Sequence, residues 1–165
     1  MAARPHWFRA RLDTSTKVAE LAQLNATAAD CFQNGRLADA IDTFERALAD
    51  CRSHLGDHHP GTLAVAGNPG VAYCAGGRAP EGLALLATNV ADREQVLGDE
   101  DPRTLTAADA LAAAYRANGD IEQAGGVGRL RPGGSRLGGY AGREHHADTQ
   151  ALAWGVEGVA EPAEL

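Results

Sequence analysis

The stretch GRLADAIDTFERALADCRSHLGDHHP, residues 35–60, decides the fold, because later stretches copy it at a fixed interval. Forty-two positions on, Gly77 opens GRAPEGLALLATNVADREQVLGDEDP, and forty-two further on Gly119 opens GDIEQAGGVGRLRPGGSRLG. In the first copy Leu37, Ala40, Ile41, Phe44, Ala47, Leu48, Cys51 and Leu55 recur every three or four positions, so they share one stripe of an α-helix. Asp42, Glu45, Arg46, Asp50 and Arg52 take the other face. A helix with so narrow a stripe is soluble only when one or two partner helices cover it, so a partner must be encoded nearby.

The partner lies just upstream of each copy. Before Gly119 runs DPRTLTAADALAAAYRAN, in which Leu105, Leu111, Ala112, Ala114 and Tyr115 keep helical spacing among good helix formers. Asp101 suits the N-cap and Pro102 the first helical position, where a missing N–H costs nothing. Asn118-Gly119 suits a helix end that needs a left-handed residue. Each unit therefore reads as helix, Gly-bearing turn, helix, and a corner of the form Leu-Gly-Asp-x-x-Pro. The fold class is all-α.

These residues resemble the tetratricopeptide repeat family. Leu111-Ala112-x-x-Tyr115 matches the first half of its pattern and Ala40-x-x-x-Phe44 the second. The interval exceeds the family's usual ~34 residues. That interval, with the corner and the ADREQVLG before it, is similar to the kinesin-light-chain-like subgroup, which has longer helices and is common in bacterial regulatory proteins. The resemblance covers residues 25–119 and implies a short right-handed solenoid of antiparallel helix pairs.

In chain order, residues 1–13 read as a flexible arm carrying Trp7 and Phe8, and residues 14–124 as about two and a half repeats. The first helix starts at a Thr14 or Ser15 cap and turns Val18, Leu21, Leu24, Ala28 and Cys31 inward, and Gly35 ends it. The next first-helix position holds Gly67-Asn68-Pro69-Gly70. An interior Pro and two Gly would cost a continuous helix about 5 kcal/mol. A restart costs less, which predicts a break at 67–69, with Asn68 as cap, Pro69 as first helical residue and residues 62–66 as a separate turn. The following helix, 80–97, keeps Leu83, Leu86, Val90 and Leu97 on its stripe, but Gly82 and Asn89 replace Ala40 and Ala47, which predicts thinner packing.

Unit three begins well and then loses its stripe. Gly125, Gly128, Pro132 and Ser135 stand where the first copy has Ile41, Phe44, Leu48 and Cys51. Five glycines and a proline would cost a helix there on the order of 8 kcal/mol, so residues 125–147 read as an irregular Gly-rich segment. Residues 148–165 carry a short helical pattern through Ala151, Leu152, Trp154 and Val156. A poor stretch between two recognisable ones is what compensating frameshifts, or decay of an inactive copy, would leave.

Composition narrows the function classes. At 165 residues the chain is one domain at most, and 44% hydrophobic with 5% aromatic residues suits small-residue helix packing. A net charge of −7 argues against a nucleic-acid footprint, which needs clustered Lys and Arg. Lys17 is the one lysine among fifteen basic residues, a bias expected of a high-GC bacterial genome. Cys31, Cys51 and Cys74 form no C-x-x-C and read as core residues in a reducing cytoplasm. MAARPHWFRARL lacks the apolar run of a secretory signal, and no stretch approaches the ~20 apolar residues of a membrane span.

Chemistry finds little support. The glycines of 125–139 have no G-x-x-x-x-G-K-[ST], no lysine and no preceding strand. His58-His59 and His145-His146 lie in turns, where adjacent side chains diverge, so no metal site, cofactor site or catalytic residue is assigned. What remains is the surface of stacked helix pairs, whose first helices line a groove fit for an extended or helical peptide. In related repeats, polar residues just before the Leu position face that groove, and a carboxamide can both donate to and accept from a peptide backbone. The matching positions here are Asn25, Asn68 and Asp109, and Gln33 and Arg116 join them after the aromatic position. The expected function is a scaffold binding a protein or peptide partner. The alternative is a fragment or decayed relative of a larger bacterial regulatory protein, such as a signalling ATPase with C-terminal repeats. Too few repeats to cover the stack ends also predicts self-association.

Overall fold

The computed structural model describes residues 6–127, with side chains from residue 16 on. Among the described residues there are seven helices and no strand: α1 (His6–Gln33), α2 (Leu37–Leu55), α3 (Pro60–Val65), α4 (Asn68–Ala75), α5 (Ala79–Leu97), α6 (Pro102–Ala117) and α7 (Ile121–Val127). They pack as antiparallel pairs, α1 on α2, α4 on α5 and α6 on α7. The pairs then stack through α2 on α3 and α4, and through α5 on α6. The described residues form an all-α solenoid, as the 42-residue period requires.

Glycines with positive φ punctuate it at a constant interval of half a repeat: Gly35, Gly56, Gly77, Gly98 and Gly119. At Gly35, Gly77 and Gly119 the following N–H returns to a carbonyl five residues back, Arg36 to Cys31 at 2.9 Å, Arg78 to Tyr73 at 2.8 Å and Asp120 to Tyr115 at 2.9 Å. This closure turns the first helix of a unit sharply into the second. The corner glycines differ. Gly56 (φ 91°, ψ 161°) and Gly98 (φ 93°, ψ 160°) occupy a region essentially reserved for glycine. A Cβ at either would meet nothing within 4 Å, so conformation and not crowding selects the residue.

Three apolar clusters line the seam between the helices. Leu21, Leu48, Cys51, Val65 and Ala66 make one end, Ala28, Ala29, Cys31, Ala40, Phe44 and Ala72 the middle, and Val71, Leu83, Leu86, Val90, Ala107, Ala108 and Leu111 the other end. Phe32 packs against both of the latter two and so joins unit one to unit two. Burial at about 25 cal/mol per Å² of apolar surface, accumulated along such a seam, holds a stack that has no single central core.

The break in unit two falls where the sequence requires it, with a different chemistry at the restart. α3 ends at Val65 and α4 begins at Asn68, with Pro69 in its first turn, where the missing N–H leaves no bond unmade. Ala66 (φ −63°) and Gly67 (φ −79°) stay in the right-handed helical region, so the ladder is interrupted without a loop. The N-cap is Gly67 rather than Asn68, whose Nδ2 donates to Asn25 Oδ1. Across the break, the Leu63 carbonyl accepts from Asn89 Nδ2 at 3.0 Å and from Arg93 Nη2 at 2.7 Å. Asn89 is thus a buried clamp on the interrupted helix.

Packing at Gly82 is close, not thin. A Cβ on Gly82 would fall on Cys74 Sγ and lie 2.5 Å from the Gly70 carbonyl oxygen, and a Cβ on Gly70 would lie 2.9 Å from the Gly82 carbonyl oxygen. α4 and α5 therefore touch backbone to backbone, and the missing methyl groups are replaced by a shorter approach. Gly70 and Gly82 stand one repeat after Ala28 and Ala40, both completely buried, so each unit places two small residues where its helices cross.

Two boundaries differ from the sequence reading. α1 begins at His6 instead of Thr14, so helix replaces part of the arm expected over 1–13. Residues 6–33 contain neither Gly nor Pro, and extending an existing helix upstream fixes one residue per added bond, without a new nucleus. α7 runs to Val127, through Gly125 and Gly126, since Ala124 is buried and Val127 packs on the seam. The side chains of Trp7 and Phe8, the rest of the Gly-rich segment and the helical pattern at 148–165 lie outside the described residues.

Candidate functional site

The five residues singled out from sequence divide into two groups. Asn25 (2% exposed) and Asn68 (4%) are buried and meet each other, Asn68 Nδ2 donating to Asn25 Oδ1 at 2.8 Å. They join α1 to α4 beneath the surface. Gln33, Asp109 and Arg116 are exposed, the first at the end of α1 and the others on α6. Asp109 is the repeat equivalent of Asn25, yet it reaches solvent. Asn25 is covered by α4 of the following unit, whereas no further unit follows α6 and α7 among the described residues.

Polar ties that the apolar stripes did not announce run between units. Tyr73, buried on α4, donates from its hydroxyl to Glu45 Oε1 on α2. This bond, with burial and the Glu45 charge, pushes the Tyr73 hydroxyl above the usual phenol range against the opposing pull of Arg78. The Arg78 guanidinium lies 4.2 Å from the centre of the Tyr73 ring and also pairs with Glu81 at 3.2 Å. Arg93 spans two units, binding the Leu63 carbonyl from Nη2 and the Arg103 carbonyl from Nη1 at 2.8 Å. Burial, and then the nearby Arg103 charge, draw its pKa below the ordinary arginine value. The sequence signal for Asn89 and Arg93 is polar chemistry at the equivalents of Ala47 and Cys51, opposite the Gly67-Pro69 break.

Cys31 and Cys51 are buried free thiols and Cys74 is half-buried, and burial pushes the Cys51 and Cys74 thiols up, away from the reactive thiolate. Among the described residues no group of three or more His, Cys, Asp and Glu could hold a metal ion. No described helix is long and apolar enough to cross a membrane.

Tandem helix pairs with buried inter-unit ties and exposed polar residues on their first helices define an α-solenoid. Within that class, residues 21–61 match the tetratricopeptide repeat family. A solved structure of a Podosopora anserina kinesin light chain with nearly identical TPR-like repeats is similar at 30% identity and a TM-score of 0.62, over 68% of this chain and 54% of that one. A variant of the same protein gives 30% identity and a TM-score of 0.62, over 68% and 53%. The chain thus spans about half the length of the solved structures it matches. No curated protein matches it. The family match is carried by residues 21–61, and the likeness to the solved structures covers 68% of this chain.

Proposed function

We propose that the chain is a protein-interaction scaffold that takes a peptide or protein partner along the face of its first helices, α1, α3–α4 and α6, and carries out no reaction. The supporting observation is that Gln33 on α1 and Asp109 and Arg116 on α6 are exposed, while a buried bond between Asn25 and Asn68 ties α1 to α4. Such a surface offers a carboxamide, a carboxylate and a guanidinium, enough to fix the register of an extended peptide without a deep pocket. Repeats of this family typically mediate protein–protein contacts, and the kinesin-light-chain-like subgroup is the best fit to the 42-residue period. A bacterial, cytoplasmic setting accords with the arginine bias and three free thiols. Neither nucleic acid nor a membrane is a partner in this reading.

Selection of a displayed peptide library on the full chain tests it. An enriched peptide should bind about tenfold more weakly to the double variant Asp109→Lys, Arg116→Glu, because a rim charge pair reverses sign. Absence of enrichment, or indifference to the reversal, overturns the reading. Self-association through α6 and α7, where Ile121 is 65% exposed, is part of the same proposal, and a monomer by sedimentation at high concentration would remove that part.

A further inference from the structure

Two corners with one geometry carry different caps. His59 (φ −67°, ψ 137°) precedes α3 and Asp101 (φ −64°, ψ 131°) precedes α6, one repeat apart, each followed by a proline. His59 Nδ1 accepts the Gly61 N–H at 3.0 Å, and Asp101 Oδ1 accepts the Arg103 N–H at 2.8 Å. A carboxylate keeps its lone pairs through the mildly acidic range, whereas an imidazole gives up its acceptor nitrogen when it gains a proton. We propose that His59 is an acid-sensitive cap, so that protonation releases α3 and loosens the joint between the first two units while α6 stays closed.

Three observations make α3 responsive. It has six residues, too few to stand without its ends held, and the break at Ala66 and Gly67 cuts it off from α4. A protonated His59 would set an N–H against the Gly61 N–H and a positive charge at the positive end of the helix. Release would also withdraw Leu63, with its carbonyl clamped by Asn89 and Arg93, and Val65, which belongs to the seam. The proton and the Gly61 N–H compete for one lone pair of His59 Nδ1.

The neighbouring charges do not duplicate this chemistry. α2 and the corner bring Asp50, Arg52, His54, Asp57 and His58, and α5 brings Asp92, Arg93 and Glu94, while α4 has no charged residue. Arg52 pairs with Asp57 at 3.3 Å, and Arg93 is committed to two carbonyls. His54 Nδ1 lies 2.8 Å from the Asp50 carbonyl, which can only accept, so that nitrogen is the donor of the bond.

Amide hydrogen exchange on the full chain at pH 7.5 and 5.5, corrected for intrinsic rates, tests the proposal. Protection at Leu63 and Ala66 should fall about fivefold or more, the typical worth of a lost cap, while Leu105 at the start of α6 changes little. His59→Asn and His59→Asp, which keep an acceptor at both pH values, should remove the difference, and His58→Gln should retain it. Equal protection of α3 at both pH values overturns the proposal, as does an undiminished difference in His59→Asn. If the variants do not fold, nitrogen NMR of His59 in the native chain decides. Nδ1 must be an unprotonated acceptor at pH 7.5, and its protonation must track the loss of α3 protection; a mismatch overturns the cap.

Discussion

Asn68 on α4 donates to Asn25 on α1 at 2.8 Å, across 43 residues of sequence and between two buried side chains. A buried amide deprived of its partner keeps its desolvation cost and loses the bond that offset it. Asn25→Ala should therefore destabilise by about 1–3 kcal/mol in urea denaturation. Asn25→Leu with Asn68→Leu should cost less than the two single changes added together, since neither then strands a polar group. Simple additivity in the double-mutant cycle would show that the bond contributes nothing.

Gly82 occupies the position where the first copy has Ala40, so Gly82→Ala looks like a repair toward the repeat's own pattern. The structure predicts the reverse. The new methyl group would land on Cys74 Sγ and 2.5 Å from the Gly70 carbonyl oxygen, and forcing α4 and α5 apart should cost about 1–3 kcal/mol. A rise in melting temperature would contradict this packing.

Asn89 presents the same contrast in polar form. Asn89→Ala restores the first copy's residue but leaves the Leu63 carbonyl with Arg93 as its remaining clamp. A loss of about 1–2 kcal/mol is expected, with faster exchange in α3 than in α6. Neutral stability would mean that the helix break needs no second donor.

Thr62 and Thr104, equivalent residues in the first turns of α3 and α6, bury hydroxyls that find no partner among the described residues. Valine has the same shape without the stranded oxygen. Thr62→Val and Thr104→Val should each stabilise by about 1 kcal/mol, measured by thermal unfolding. Destabilisation in both would reveal a partner for those oxygens.

The Asp101 carboxyl is held down to about 2, first by the Arg103 guanidinium and then by the Arg103 backbone N–H. Its unfolded value is about 4. The interaction therefore contributes fully above pH ~4 and is lost as pH falls toward 2, since the unfolded chain takes up the proton first. A carboxyl-carbon NMR titration should show this low midpoint, and Arg103→Ala should raise it. A native midpoint near 4 would remove the ion pair.

Much of the fold is legible in the spacing of residues. Asp101 as cap with Pro102 behind it, the second helix at Leu37–Leu55 and the break near Pro69 all follow from rules acting within one or two helical turns. The candidate site is legible only in part. Gln33, Asp109 and Arg116 are exposed, but Asn25 and Asn68 face each other, because the covering of Asn25 depends on a helix that arrives 43 residues later.

The sequence by itself determined the period, the helix types and the order of the pairs, since each rests on local stereochemistry and on a stripe that repeats within a turn. Tertiary structure decided what the irregular residues are for. Gly82 serves close approach, Asn89 serves a freed carbonyl, and Asn68 serves the unit before it. Their partners lie on other helices, and only the crossing distance between helices tells a missing methyl group from a cavity.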